Sequence, residues 1–440
     1  MGSDVNIFLV LLLCKNYSHA FYQRTTFFLR INIIFVILLN HVLPLDKYNL
    51  WRIAMEITEY THQGLAMFLK ELGIQLTKPT MNLLAWIMLA LLEKTAAHLF
   101  RLAEKLPDDD TNDMARRQKV RRFMSNHRVF PYLFLHAFIM LIRPLFQSAS
   151  ILELVLDRTE WVKRGTPINV LDAALSYKGR AIPLFWLVSN RRGNSSLKEQ
   201  KAALTPVIEA LRSASWTQGK QIHLTADREF ASPKLAEWLW VTFRVGSTLR
   251  LKRSEYLNSE AETVKISKYL QQLHPGNQRF LRRYTITQSN SFVMNVAVCW
   301  DKAYEEPWVL MTTHVNLPEA IQAYGNRHGI EPMHKDWKSN AFDIEGTRVT
   351  DAKRIETLLI TIALCYILCV LEGDRKETAG ENIRAHKEKR TTGLFLVGLC
   401  AFTRILRSTT LCRIQHFFYR LFVGWSWPHK LETKLLNQKC

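Results

Sequence analysis

Two short apolar runs that each close on an aspartate, ILELVLD (151–157) and QIHLTAD (221–227), constrain this chain more than any other stretch. Between them lie two more strand-like runs, PINVLDAAL (167–175) and RAIPLFWLV (180–188), parted by the turn signal Tyr177-Lys178-Gly179. A polar, helix-compatible stretch from Ser196 to Ser213 follows, and Ser232-Pro233 offers an N-cap and first-turn pair for the helix PKLAEWLWVTF. The order strand, strand, strand, helix, strand, helix predicts an α/β core with mixed pairing. Neighbouring strands of one sheet present their ends at a common edge, so Asp157 and Asp227 are expected close together.

A second pattern lies downstream. Tyr324, Arg327, Glu331 and Lys338 are separated by three, four and seven positions. On one continuous α-helix they would fall within roughly 60° of one another. A core helix would put Leu or Val on such a stripe, and a solvated one would scatter its charges. Pro332, directly after Glu331, removes a backbone donor and crowds the carbonyl of His328, so the helix is expected to kink or restart there. Asn316-Leu-Pro-Glu319 has capping-box spacing and opens the helix that bears Tyr324.

If Glu331 joins the two aspartates, three carboxylates converge without a Lys partner for each. They would repel unless cations filled the gap. Hard divalent ions accept an oxygen-only shell, Mg²⁺ or Mn²⁺ above all, and two such ions can activate an attacking oxygen and stabilise a leaving one. Composition points the same way: 59 Lys and Arg against 39 Asp and Glu give a net charge of +20. That excess implies a polyanionic partner, nucleic acid or an anionic membrane surface. The 48% hydrophobic content excludes global disorder.

The remaining chain places these features. Residues 55–145 read as helical, with MNLLAWIMLALL (81–92) too short for a membrane span and suited to a buried helix. MARRQKVRRFMSNHR (114–128) is strongly basic: Arg116, Arg117, Lys119, Arg121 and Arg122 could contact a phosphate backbone, with Val120 and Phe123 as an apolar anchor and Met124 on the stripe of Arg117 and Arg121. From about 246 to 306 basic β-like segments read as a β-rich insertion, and PWVLMTTHV (307–315) returns as a strand. The apolar helix 353–372 carries Cys365 and Cys369, read as core thiols and not as a zinc or disulfide pair. Residues 373–392 read as a polar linker and the tail to 440 as helical. Residues 1–54 are apolar and of uncertain status, either a signal anchor or an extension upstream of a true start at Met55.

The arrangement Y-x2-R-x3-E-x6-K resembles the signature of the DDE transposases of bacterial insertion sequences, specifically the insertion-sequence-four family. LVLDRTEW around Asp157 and LTADREF around Asp227 resemble that family's two aspartate motifs, and the resemblance spans roughly residues 55–372. The His328-Gly329 pair and Pro332 depart from the family's usual residues. The resemblance implies an RNase H-like catalytic core within 146–372, interrupted by the insertion. It also implies a helical DNA-binding domain at 55–145 and a helical region at 373–440. It implies that Asp157, Asp227 and Glu331 hold the metal ions, and that Tyr324, Arg327 and Lys338 grip phosphates near the cut. The implied activity is cleavage of double-stranded DNA at terminal inverted repeats and joining to target DNA, by a cytoplasmic protein working as a DNA-bridging homodimer. No small-molecule substrate and no membrane partner are expected. An RNase H-like nuclease that cuts without joining, a basic DNA-binding protein with a decayed centre, and a membrane-associated protein are the alternatives.

Overall fold

Two tight hairpins set the register of the sheet that carries the acids. Strand β1 (Ile151–Lys163) turns at Arg164-Gly165 into β2 (Thr166–Tyr177), which turns at Lys178-Gly179 into β3 (Arg180–Ser189). All four turn residues have positive φ, the backbone that two-residue hairpins require and that glycine adopts without cost. The first turn forces Asp157 opposite Asp172. A register shift at Ala173/Ala174 faces Pro183 on the sheet edge, where a missing amide is tolerated.

The computed structural model describes residues 61–107, 112–287, 291–302, 305–380, 393–407 and Phe417. The chain clusters into two units, Met1–Glu59 and Tyr60–Cys440, and every described residue belongs to the second. The apolar stretch 1–54 and Met55 lie outside the described residues. After the helical residues 61–71 come α1 (Lys78–Leu92), α2 (Leu99–Glu104), α3 (Asp113–Met124) and α4 (Pro131–Phe146). Beyond β3 the order is α5 (Leu197–Ser213), β4 (Gln221–Ala226), α6 (Pro233–Phe243), β5 (Gly246–Arg250), β6 (Tyr256–Asn258), β7 (Thr263–Lys265), α7 (Ile266–Leu270), β8 (Gln278–Ile286), β9 (Val293–Cys299) and β10 (Trp308–Thr312). The chain continues through α8 (Leu317–Asn326), α9 (Ile330–Lys335), α10 (Ala352–Thr378) and α11 (Leu394–Leu406).

Among the described residues ten strands join one sheet, in the order β3-β2-β1-β4-β5-β10-β9-β8-β6-β7. β4 lies parallel to β1 and to β5, whereas the hairpins and β10 are antiparallel, so the pairing is mixed as expected. The insertion differs from expectation in its boundary. Gly246–Arg250 is a core strand, and β6 to β9 extend the same ladder beyond β10 instead of forming a separate body. The expected end of β1 at Asp157 is also corrected. The strand runs on for six residues because β2 still pairs with it after β4 has stopped at Ala226.

The helix starts follow local chemistry. A complete capping box, Ser196 with Glu199, opens α5. Asn316 accepts from the Glu319 amide at the start of α8, but the Glu319 carboxylate meets His314 instead of closing the box. Ser232 stands at the N-cap of α6 without a side-chain hydrogen bond.

Helix α10 is apolar enough to cross a membrane by composition, yet 94% of its most apolar window is buried within the protein. It packs against α1, α3, α4, β3 and α11, with Cys365 and Cys369 as unbridged core thiols. Gly398 of α11 meets the backbone of Cys369, and Gly373 meets that of Leu394; a Cβ at either would collide. Helix α10 extends to Thr378, so 373–378 is helix and not the expected linker, while 381–392 lies outside the described residues. Phe123, Val120 and Met124 are all buried on α3, which moves Met124 from the basic stripe into the apolar anchor. The C-terminal tail beyond α11 is described only at 407 and Phe417.

Candidate active site

The segment carrying the four-residue signature is not one helix. α8 ends at Asn326, a 3₁₀ turn covers Arg327–Gly329, α9 restarts at Ile330 and a π turn spans Asp336–Asn340. Pro332 therefore sits in the first turn of α9, where its missing amide leaves no hydrogen bond broken. Gly329 is pressed against the backbone of Arg180, 2.7 Å from where a Cβ would stand, so this turn tolerates no side chain.

The broken segment runs alongside β1 and meets it side chain by side chain. Asn326 donates to Glu153 Oε2 at 2.6 Å, Arg327 Nη1 to Asp157 Oδ2 at 3.2 Å, and Lys338 Nζ to the Glu160 carbonyl at 3.1 Å. Three of the signature residues gather with the two aspartates. Arg327 forks, its Nη2 reaching Glu331 Oε1 at 3.2 Å, and Tyr324 Oη donates to Asp227 Oδ1 at 2.9 Å. Lys338 does not join them. It pairs with Glu345 at 2.8 Å and lies over the Trp161 ring, further along β1. The expectation of four side chains on one helical face is thus corrected: two breaks in the helix let three of them turn onto the acids and carry the fourth away.

Asp157 and Asp227 come together because Leu156 pairs with Ala226 in the parallel ladder, making the aspartates the next residues on neighbouring strands. Their environments differ. Burial pushes the Asp157 carboxyl up, against the pull of His334, Arg327 and the Arg158 amide, and the Asp227 charge adds to the rise. Burial also raises Asp227. There it is outweighed by the Arg228 amide, Arg327, the Tyr324 hydroxyl and Arg250, which leave the carboxyl below its usual value. Tyr324 is fully buried between Ala297, Leu310 and Ala320, and burial lifts its phenol to about 12, so it stays a donor. Arg327 is only 5% exposed, while Glu331 at 59% faces solvent and also meets His328 Nδ1 at 3.2 Å.

A fourth acid escaped the reading of the sequence. Asp172, opposite Asp157 on β2, is buried and accepts from His334 Nε2 at 2.9 Å, and its Oδ1 has no hydrogen-bond partner. A signal existed. A two-residue turn at Arg164-Gly165 fixes which residue faces Asp157, and His334 stands seven positions after Arg327 on the same stripe. Arg250 at the end of β5, 3.8 Å from Asp227 Oδ1, was missed as well.

The basic residues of α3 are placed apart from this group. Lys119, Arg121 and Arg122 are exposed, Arg116 pairs with Asp113, and the Arg117 guanidinium lies 4.2 Å from the Phe100 ring centroid.

A sheet of mixed pairing flanked by helices, with acids on adjacent central strands and a third from a helix beside them, fits an α/β core of the RNase H type. Residues 193–368 match the family model described as transposase DDE domain, a stretch that includes Asp227 and Glu331 and starts beyond Asp157. That match supports a DDE transposase, a protein of DNA transposition and recombination. No curated protein matches the chain.

Proteins of this class generally use divalent metal ions. The donors here are right in kind: Asp157, Asp227 and Glu331 offer hard oxygens. Their arrangement does not fit. Among the described residues no three His, Cys, Asp or Glu side chains group closely enough to hold a metal ion, and the Arg327 guanidinium stands between Asp157 and Glu331.

Proposed function

We propose that this chain is a transposase of the insertion-sequence-four type. It binds terminal inverted repeats, cuts the DNA at them and joins the freed ends to target DNA, with a divalent metal ion required and a homodimer bridging two ends in the cytoplasm. The observation that supports this most is the convergence of Asp157, Asp227 and Glu331, from three separate elements, on two side chains of one signature, Tyr324 and Arg327.

The chain's own residues have definable parts in this reading. Asp157 and Asp227 are the acids at the reacting phosphate, positioned by the parallel ladder. Arg327, released from the acids, grips a phosphate with the two parallel donors that a guanidinium offers, and Tyr324 keeps Asp227 oriented. Lys338 contributes a point charge further along β1. The exposed Lys119, Arg121 and Arg122 of α3 bind flanking duplex through its backbone, a contact that weakens as salt rises. Incubating the full chain with duplex carrying the flanking repeats, with and without Mg²⁺, tests the reading. Metal-dependent nicking at the repeat ends and end joining are expected, both lost in Asp227→Asn. Cutting without any joined product would replace the transposase with a nuclease.

A further inference from the structure

The end of β4 away from the acids carries a cavity. It measures about 410 Å³ and opens where β1, β4 and β5 begin, with Arg212, Lys220, Trp240 and Arg244 on its wall. That volume falls in the lower part of the range of ligand pockets, roughly 300–1,000 Å³. His223, on the same wall, lies four residues before Asp227, about 13 Å along β4. A molecule held there stands clear of the acids.

The cavity favours an anion. Among the described residues of its wall there is no Asp or Glu, against three full positive charges. Helices α5 and α6 end at this wall, and Lys220 Nζ donates at 2.9 Å to the Gln147 carbonyl at the end of α4. A helix C-terminus carries about half a negative charge. Three such ends offset about half of the three cations, and the cavity stays positive. Lys220 is committed to those carbonyls, but Arg212 and Arg244 are not. Their guanidiniums lie 5.7 Å from the Phe243 ring centroid and 5.8 Å from that of Trp240, and neither makes a hydrogen bond or ion pair with the described residues. Each can therefore take two phosphate oxygens at once.

A bare anion would leave the rest of the wall unused. Trp240 is 40% exposed, and Leu211 and Ile222 add apolar surface to the same wall. An exposed indole offers a stacking surface to any nucleobase. His314 Nδ1 meets Glu319 Oε2 at 3.2 Å, which leaves Nε2 as an acceptor, and that atom is buried without a hydrogen-bond partner. A base N–H or a sugar hydroxyl would satisfy it.

We propose that this cavity binds a nucleoside phosphate, its phosphate held by Arg212 and Arg244 and its base against Trp240. A free nucleotide and an unpaired nucleotide of a nucleic-acid strand present these same groups. The site is separate from the reading of the acids given above and stands without it.

Isothermal titration calorimetry of the full chain in metal-free buffer tests this with three probes: thymidine monophosphate, inorganic phosphate and a short oligothymidylate. The mononucleotide is expected to bind about tenfold more tightly than phosphate. Arg212→Gln and Arg244→Asn should each weaken it about tenfold; asparagine suits the left-handed backbone of Arg244, φ 47°. Trp240→Ala should bring the mononucleotide down to the level of phosphate. If that variant does not fold, the two arginine variants and the phosphate comparison decide. An oligothymidylate that binds about tenfold more tightly than the mononucleotide, and is weakened by the same variants, makes a strand the source. Equal affinities make it a free nucleotide, and either result sustains the site. A mononucleotide that binds no better than phosphate, or that ignores both arginine variants, would overturn it. So would a loss of binding in Asp227→Asn, which would put the nucleotide at the acids instead.

Discussion

The same strands end in two unlike ways. Where β4 and β5 end beside the middle of β1, Asp157, Asp227 and Glu331 meet Arg327, Arg250 and the Tyr324 hydroxyl. About 13 Å away, four residues back along β1 at the level of Glu153, the sheet closes on a pair of stacked imidazoles, His223 and His314, with ring centroids 4.1 Å apart. There burial acts on two imidazoles set against each other: His223 is pushed down to about 3 by burial and by His314, and burial lowers His314 too. Gly246 makes the stack possible, because a Cβ at that position would stand 2.7 Å from His223 Nδ1 and Thr313 Oγ1. One place sets a guanidinium and a phenol beside its acids, and the other stacks two imidazoles whose charged forms burial disfavours. The first arrangement suits chemistry on a phosphodiester and the second suits stability.

Four measurements would break or sharpen that contrast. The largest effect is expected at the acids: Asp157→Asn and Asp227→Asn should lower DNA cleavage by at least about a thousandfold, while His314→Ala should stay within about threefold in the same assay. A comparable loss from His314→Ala would dissolve the division of labour. Next comes Gly246→Ala, whose methyl must displace the His223 ring or Thr313; chemical denaturation should show a loss of about 1–3 kcal/mol, with little change in metal or DNA binding.

The pH dependence follows in size. His223 is neutral when folded down to about 3, whereas an exposed histidine takes its proton near 6.5. Between those values the unfolded chain binds more protons, so stability is full above about 6.5 and falls as pH falls through the window. The contribution of His223 is about 2 kcal/mol between pH 7 and pH 5. His223→Gln should flatten that part of the stability profile, and an unchanged slope would show that the stack does not titrate as described. Asp157, raised by burial, works in the opposite sense and gives up stability as pH climbs past the ordinary aspartate value. The smallest effect belongs to Tyr324→Phe. It removes one hydroxyl donor from Asp227 and leaves the ring packing intact, for about 0.5–1.5 kcal/mol by thermal or chemical melting.

Much of the acidic end was legible in the sequence because local rules governed it. Apolar runs gave the strands, positive-φ turn residues gave the hairpins, and Pro332 gave the break in the helix. What was not legible depended on pairing over distance. The continuation of β1 past Asp157 is dictated by β2 alone, and RTEWVK lacks the apolar density that marks a strand covered on both flanks. The membership of Gly246–Arg250 in the core, and of β6 to β9 in the same sheet, rests on ladders that composition does not encode. The signature was recognised by spacing, yet its geometry was misjudged, since spacing presumes one unbroken helix and the chain supplies a 3₁₀ turn and a π turn. Asp172 was hidden inside an apolar run, where a lone acid reads as an interruption and not as a partner for His334. The histidine stack left no local mark, because His223 on β4 and His314 just beyond β10 lie far apart along the chain.

The unbroken ladder from β3 to β7 has a mechanical consequence. A hinged appendage could swing without disturbing the strands beneath it, but here every added strand is stitched through β10 to β5 and so to Arg250 beside Asp227. A load applied at the far edge must be borne as twist along the whole ribbon, and the acids feel it as a change in their footing.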